Sequence, residues 1–282
     1  MKKIIALMMA VLLVASVFAA CGNSNTAKTD ATEAAKSDAT QATDAAKTVA
    51  DVDAVKAKGK LVVGITDFEP MDYKGENNEW IGFDADMAKA FAESLGVKAE
   101  FVEIDWDNKA LELSGGTIDC VWNGMTLTDE VKSAMSCSDP YCNNAQVVVV
   151  KKADAEKYAK ADDCKGLNFA VESGSAGQKQ AQAYSFKFTE VKDQATALME
   201  VASGTCDAAI IDSLMAAAMV GEGTGYEQLT YTASLNSEEY GVGFRKGSDL
   251  TAKCNEFFAA AKADGSMQKI AETYKVQAAL IK

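Results

Sequence analysis

The chain has 282 residues and a formal net charge of −13, long enough for one large domain or two small ones with cores of their own. Such an acidic balance argues against nucleic acid, whose binding needs a basic face, and is otherwise a statement about solubility. Histidine is absent and Arg245 is the sole arginine, which removes Ser-His-Asp and Cys-His arrangements and Cys/His zinc sites and leaves lysine and backbone amides to hold a negative ligand.

Lys2 and Lys3 form a charged start, followed by the apolar run Ile4 to Ala20 and then Cys21. A run of that length could nearly span a bilayer as an uncleaved anchor. The small residues Ala19 and Ala20 favour cleavage before Cys21, and the pattern resembles a bacterial lipobox in which that cysteine becomes the lipidated first residue. Phe18 stands where an aliphatic residue is usual. From Gly22 to about Ala50 the chain is Ala, Thr, Lys, Asp and Ser with no apolar stripe, too polar to bury surface against chain entropy. It reads as a tether, its ends about 30 Å apart at roughly 5–6 Å times the square root of its length.

Beyond Gly59 apolar strands alternate with amphipathic helices, the mark of an α/β fold. LVVGIT and VKAEFVEI read as strands, and DADMAKAFAESLG between them as a helix stopped by Gly96. In NGMTLTDEVK, Thr128 is an N-cap with Asp129 and Glu130 in the first helical turn, where acids suit the dipole. Pro70 and Pro140 fall in loops. The six remaining cysteines, Cys120, Cys137, Cys142, Cys164, Cys206 and Cys254, are irregularly spaced. They read as buried thiols rather than a disulfide framework, with Cys137 and Cys142 the pair to test.

The most informative feature is internal. KALELSGGTIDCVWNG and ALMEVASGTCDAAIID each give a helix, a Gly–Thr stop, an Asp and a buried strand. Gly116 and Asp119 recur as Gly204 and Asp207, an offset of 88 in both cases (204 − 116 and 207 − 119). A helix–strand unit precedes each copy, so the chain reads as two similar α/β lobes. Ligands of open α/β sheets sit beyond the carboxyl ends of strands. That rule points to Asn123, Gly124, Met125 and Thr126 after IDCVW, to Asp212 after DAAII, and to the turn Gly174–Ser175–Ala176–Gly177 after AVES. The full GxGxxG and GxxxxGK[ST] patterns are absent, which argues against dinucleotide or ATP binding.

The ordered series LVVGITDFEPMDYK, WIGFDADMAKAF, ELSGGTIDCVWNGMTLTDE, SDPYCNNAQVVVV, VESGSAG, DAAIID and EEYGVGFRKGSD resembles extracellular solute-binding proteins of polar amino-acid ABC importers. The resemblance covers about Gly59 to Tyr274. It implies a type II periplasmic-binding-protein-like fold, with lobe 1 formed by 51–146 and 241–282, lobe 2 by 147–240, and crossovers near Gln146 to Lys152 and Tyr240 to Arg245. It also implies that the lobes close around a ligand held between them. Phe68 matches the aromatic that lies over the ligand and Trp106 a second wall position. Asn123, Gly124 and Thr126 match the loop that hydrogen-bonds it, with Met125 between them. Ser175 and Ala176 match the loop whose amides meet the α-carboxylate, and Asp212 matches the acid that receives the α-ammonium. On the residues alone, Phe68, Trp106 and Met125 also suit a plain core, and Asp212 a helix N-cap before SLMAAAM.

One position departs from the family. Val131 stands where the resemblance implies an arginine for the α-carboxylate, so either Lys109, or hydroxyl and N–H donors around Thr126 and Ser175, replace it, or the ligand differs. Asp67, Glu69, Asp105, Glu172 and Asp212 near the expected cleft favour a ligand with an exposed ammonium. The expectation is therefore a monomeric, non-catalytic binding lipoprotein, anchored to the outer face of the cytoplasmic membrane, that delivers an amino acid or related ammonium compound to an ABC permease without cofactor or metal. Two alternatives are an enzyme of dehydratase type on the same scaffold, with Glu172 or Asp212 as acid or base, and a ligand sensor acting on a membrane partner.

Overall fold

The computed structural model describes residues 49–282. Cys21, the leader and the tether up to residue 48 lie outside them. Val49, expected inside the tether, instead bridges to Ser248 and donates its N–H to Gly247 O at 2.8 Å. The helix Asp51–Lys58 that follows was not anticipated, since only Val52 and Val55 mark its apolar face. Its start is fixed from afar. Arg245 reaches Asp51 at 2.9 Å, Ile118 O at 2.9 Å and Asp119 at 3.3 Å, which spends the only arginine on structure.

Two five-stranded sheets carry the fold. In the first, Lys60–Ile65 lies between Lys98–Glu103 and Cys120–Val121, all parallel, and Gly243–Phe244 runs antiparallel between Cys120–Val121 and Ser136–Cys137. The second repeats that order. Asn168–Glu172 lies between Lys187–Val191 and Ala208–Asp212, all parallel, and Gln146–Lys151 runs antiparallel between Ala208–Asp212 and Leu229–Ser234. Phe83–Ser94 buries Phe83, Met87 and Phe91, and Phe91 meets Trp122, just after the strand Cys120–Val121, and Phe257 of the helix Leu250–Ala263. Thr128 caps Asp129–Ala134 by accepting from Val131 N.

The internal repeat has a physical basis. Helices Lys109–Gly115 and Gln194–Ser203 both end on a left-handed glycine, Gly116 at φ 79° and Gly204 at φ 86°. Three residues on, Asp119 accepts from Val62 N at 2.7 Å, and Asp207 accepts from Asn168 N at 2.9 Å. Each aspartate satisfies an N–H at the start of the neighbouring parallel strand, where the ladder cannot.

Between the sheets the chain passes where Cys142–Asn144 pairs antiparallel with Glu238–Tyr240. The segments expected to cross over behave otherwise: Gln146–Lys151 is an inner strand of the second sheet and Gly243–Phe244 a strand of the first. Their apolar runs reflect burial on both faces, which a connecting segment does not need. All six described cysteines are free thiols, and no helix among the described residues is long and apolar enough to cross a membrane.

Candidate functional site

Strand ends from both sheets meet at a cavity of about 270 Å³, near the lower end of the roughly 300–1,000 Å³ typical of small-ligand sites. Eleven of the twelve expected ligand-binding residues line it: Phe68, Trp106 and Lys109, then Asn123, Gly124, Met125, Thr126 and Val131 from one side, and Ser175, Ala176 and Asp212 from the other. Asp67 does not. It is exposed, because along an extended chain neighbouring side chains point to opposite sides, and Phe68 takes the inward one. Glu69 and Asp105 also lie off the cavity, whereas Glu172 lines it.

The loop after Cys120–Val121 is mounted on buried acid. Gly124 sits at φ 53°, and a Cβ there would meet the Phe68 ring at 2.4 Å, so glycine is what lets the ring lie across the loop. Gly124 N donates to Asp84 Oδ2 at 2.6 Å, and Tyr141 OH donates to the same oxygen at 2.7 Å. Asn123 Nδ2 donates to Thr66 O at 3.1 Å and to Asp72 Oδ2 at 2.8 Å, while its Oδ1 accepts from Thr66 N and Oγ1. Burial raises Asp84 to about 7 against those two donors, and burial with the charge of Asp84 raises Asp72 well above the carboxylate range. Asn123 thus faces inward as a strut. Thr126 is likewise engaged, its hydroxyl donating to Glu238 Oε1 at 3.0 Å.

Lys109 joins the two sides. Its Nζ lies 4.7 Å from the Trp106 ring centre and donates to Trp106 O at 3.0 Å and, across the cleft, to Gly174 O at 3.0 Å. Burial lowers it to about 8, with Glu172 pulling the other way. Lys192–Glu103 and Lys179–Glu130 also pair across the cleft. Val131 is buried with Met125 and Met135 as an apolar wall. Ser175 caps the helix Ala176–Ala183, accepting from Gln178 N at 3.1 Å.

Asp212 precedes the helix Ser213–Met219 but makes no cap hydrogen bond. Its carboxylate instead accepts from Tyr240 OH at 2.7 Å, Gln146 Nε2 at 2.9 Å, Asn144 Nδ2 and Gln194 Nε2. Burial, then the charge of Glu238, raise it to about 8. Glu172 is only 2 % exposed, and its Oε1 accepts no hydrogen bond from any described group. Burial, then Asp212, hold its carboxyl at about 8. Gln194 and Gln178 line the cavity without having been anticipated. For Glu172 a signal existed, since it ends the strand Asn168–Glu172; for the glutamines none did.

Residues 61–277 match the family of bacterial extracellular solute-binding proteins, family 3. The chain belongs to that family. As a family 3 solute-binding protein it is 29% identical over 227 residues to the L-cystine-binding protein TcyJ of Escherichia coli K12, covering 79% of this chain and 85% of the relative. It is 30% identical over 220 residues to the arginine-binding extracellular protein ArtP of Bacillus subtilis, covering 76% and 85%. Among solved structures, the ancestral amino acid-binding protein AncCDT-1, a precursor of cyclohexadienyl dehydratase, superposes with a TM-score of 0.73 at 33% identity, covering 80% of this chain and 99% of that one. The solute-binding family and its two-lobed α/β fold account for the twin sheets and the cavity where their strand ends meet.

Proposed function

We propose that this chain captures a small polar solute, an amino acid or related ammonium compound, between its two lobes and hands it to the permease of an ABC importer without chemical change. The observation that carries this reading is an amino-acid-sized cavity lined from both sheets, with Glu172 and Asp212 buried in it. Sheet membership supports lobes of 51–146 with 241–282 and of 147–240, linked at Cys142–Asn144 and Glu238–Tyr240. The protein works as a monomer held at the outer membrane face by a lipid on Cys21. A fatty-acid label on the mature protein that Cys21→Ser removes is the expected outcome; a label that persists sinks the anchor.

Ligand bound only by the folded state raises the melting temperature. At about a hundred times Kd the gain is about 2.7 kcal/mol, or roughly 5–10 °C for a folded region of this size. A thermal-shift screen of amino acids, amines, cystine and short peptides is expected to find such a shift. If none of these compounds shifts the transition, or if a compound is turned over, the transport reading gives way to the enzymatic one, for which the high-lying carboxyls of Glu172 and Asp212 would be the acid–base groups.

A further inference from the structure

A site for a free amino acid must offer donors to a carboxylate as well as acceptors to an ammonium, because a desolvated carboxylate without partners is strongly disfavoured. In this cavity the cations and the strand-end loop are committed, and the side-chain donors left over, the Ser175 and Thr128 hydroxyls and the Gln178 and Gln182 amides, are all neutral. Asn123 Nδ2 is spent on Thr66 and Asp72, Gly124 N on Asp84, and the Thr126 hydroxyl on Glu238. Of the two lining cations, Lys109 donates to two carbonyls and Lys179 pairs with Glu130. The helix Ala176–Ala183 also starts at the cavity, but only four residues after Glu172 (176 − 172).

The acceptors are in the opposite state. Glu172 Oε1 is buried, lines the cavity and has no partner. Four lining acids, Asp107, Glu130, Glu172 and Asp212, face two lysines. At the far wall Met125, Val131 and Met135 supply only apolar contact.

We infer that the ligand is an organic amine or guanidine without a free carboxylate, its cationic group taken by Glu172 Oε1 and its other end lying against Val131 and Met135. This rests on the reading of the cavity as the binding site, and narrows it. It also carries a proton signature. The groups facing Glu172 are Asp212, Lys109, Asp193 and Gln194, and burial with Asp212 keeps its carboxyl high, at about 8. A cation at Oε1 favours the ionised form and lowers that value on binding. Binding therefore releases a proton near neutral pH, and affinity rises as pH climbs towards 8.

Calorimetry on the protein with two matched pairs tests this: agmatine against arginine, and cadaverine against lysine, each pair differing only in the α-carboxylate. The carboxylate-free member is expected to bind at least about tenfold more tightly, a difference of about 1.4 kcal/mol, and more tightly at pH 8 than at pH 6. Glu172→Gln should remove at least about tenfold of that affinity while leaving the melting temperature without ligand in place. Val131→Arg should move the preference towards arginine and lysine. Equal or tighter binding of arginine or lysine by the unaltered protein overturns the inference, as does the failure of both agmatine and cadaverine to bind. In either case a free amino acid that stabilises the protein leaves the transport reading standing, whereas no stabilisation by any amino acid or amine removes both.

Discussion

Asp212→Ala is expected to destabilise the protein by about 1–3 kcal/mol and to abolish ligand-induced stabilisation. Four side-chain donors converge on this carboxylate. Asn144 and Gln146 can fall back on Glu238, to which they already donate at 2.7 and 2.8 Å. Gln194 Nε2 can turn to Glu172 beside it, but Tyr240 OH has no such alternative, and a buried donor left without a partner costs about 1–3 kcal/mol. Gln194, which lines the cavity beside Glu172, keeps the bond it accepts from the backbone N–H of residue 212 at 2.8 Å but loses its carboxylate partner. Chemical denaturation with and without a bound solute measures both effects; a variant that keeps a ligand-dependent transition would remove Asp212 from the site.

The pH dependence separates charge from framework. Burial and Glu238 raise the Asp212 carboxyl from 3.8 to about 8 in the folded protein. Between those values the folded state binds the extra proton, so the contribution of this group to stability is full below 3.8, declines as pH rises through 8, and is flat above it. Asp212→Asn cannot ionise and escapes that decline. Its stability relative to the unaltered protein should therefore improve between pH 5 and pH 8, the opposite of a lost salt bridge.

Gly174→Ala is expected to weaken solute binding by about tenfold to a hundredfold, or about 1.4–2.8 kcal/mol, with little change in the fold. Gly174 belongs to the second-sheet side and Asp107 to the first. A Cβ on Gly174 would come within 2.6 Å of both Asp107 Cα and Asp107 Oδ1, an approach that only separation of the two sides relieves. The same displacement would break the bond from Lys109 Nζ to Gly174 O. Gly174 also has φ 70°, so part of any loss of stability, about 1–2 kcal/mol, is backbone strain. Gly116→Ala provides the control, with φ 79° and nothing within 4 Å of the added carbon. If both variants bind solute alike, close approach of Gly174 to Asp107 plays no part in capture.

Much of this architecture could be read from short stretches of the chain. The Gly116–Asp119 and Gly204–Asp207 repeat was visible because both residues act locally: a left-handed glycine stops a helix, and an aspartate three residues later caps the next strand. Strand ends then placed Asn123 to Thr126, Ser175 and Asp212 at one cleft, and Val131 marked its wall. The N-cap at Thr128 needed only the hydroxyl and its following turn. By contrast, Asp67, expected near the cleft, is exposed, since adjacent side chains on an extended segment diverge and Phe68 takes the inward side. The helix Asp51–Lys58 carries little local signal, because a distant arginine fixes its start.

The periodicity of strands and helices, their stops, and the set of residues at the strand ends follow from local sequence, since they depend on backbone preferences and patterning over a few positions. Which of those residues are free to meet a solute depends on contacts made across the folded chain. Asn123, Gly124 and Thr126 looked like ligand donors, yet they are committed to Asp72, Asp84 and Glu238, the last of these 112 residues away from Thr126. Glu172 looked like one acid among several, yet it lines the cavity with a buried Oε1 that has no partner among the described residues. Buried polar groups must find partners wherever the fold brings them, and that matching is settled by strand order and register across the whole chain.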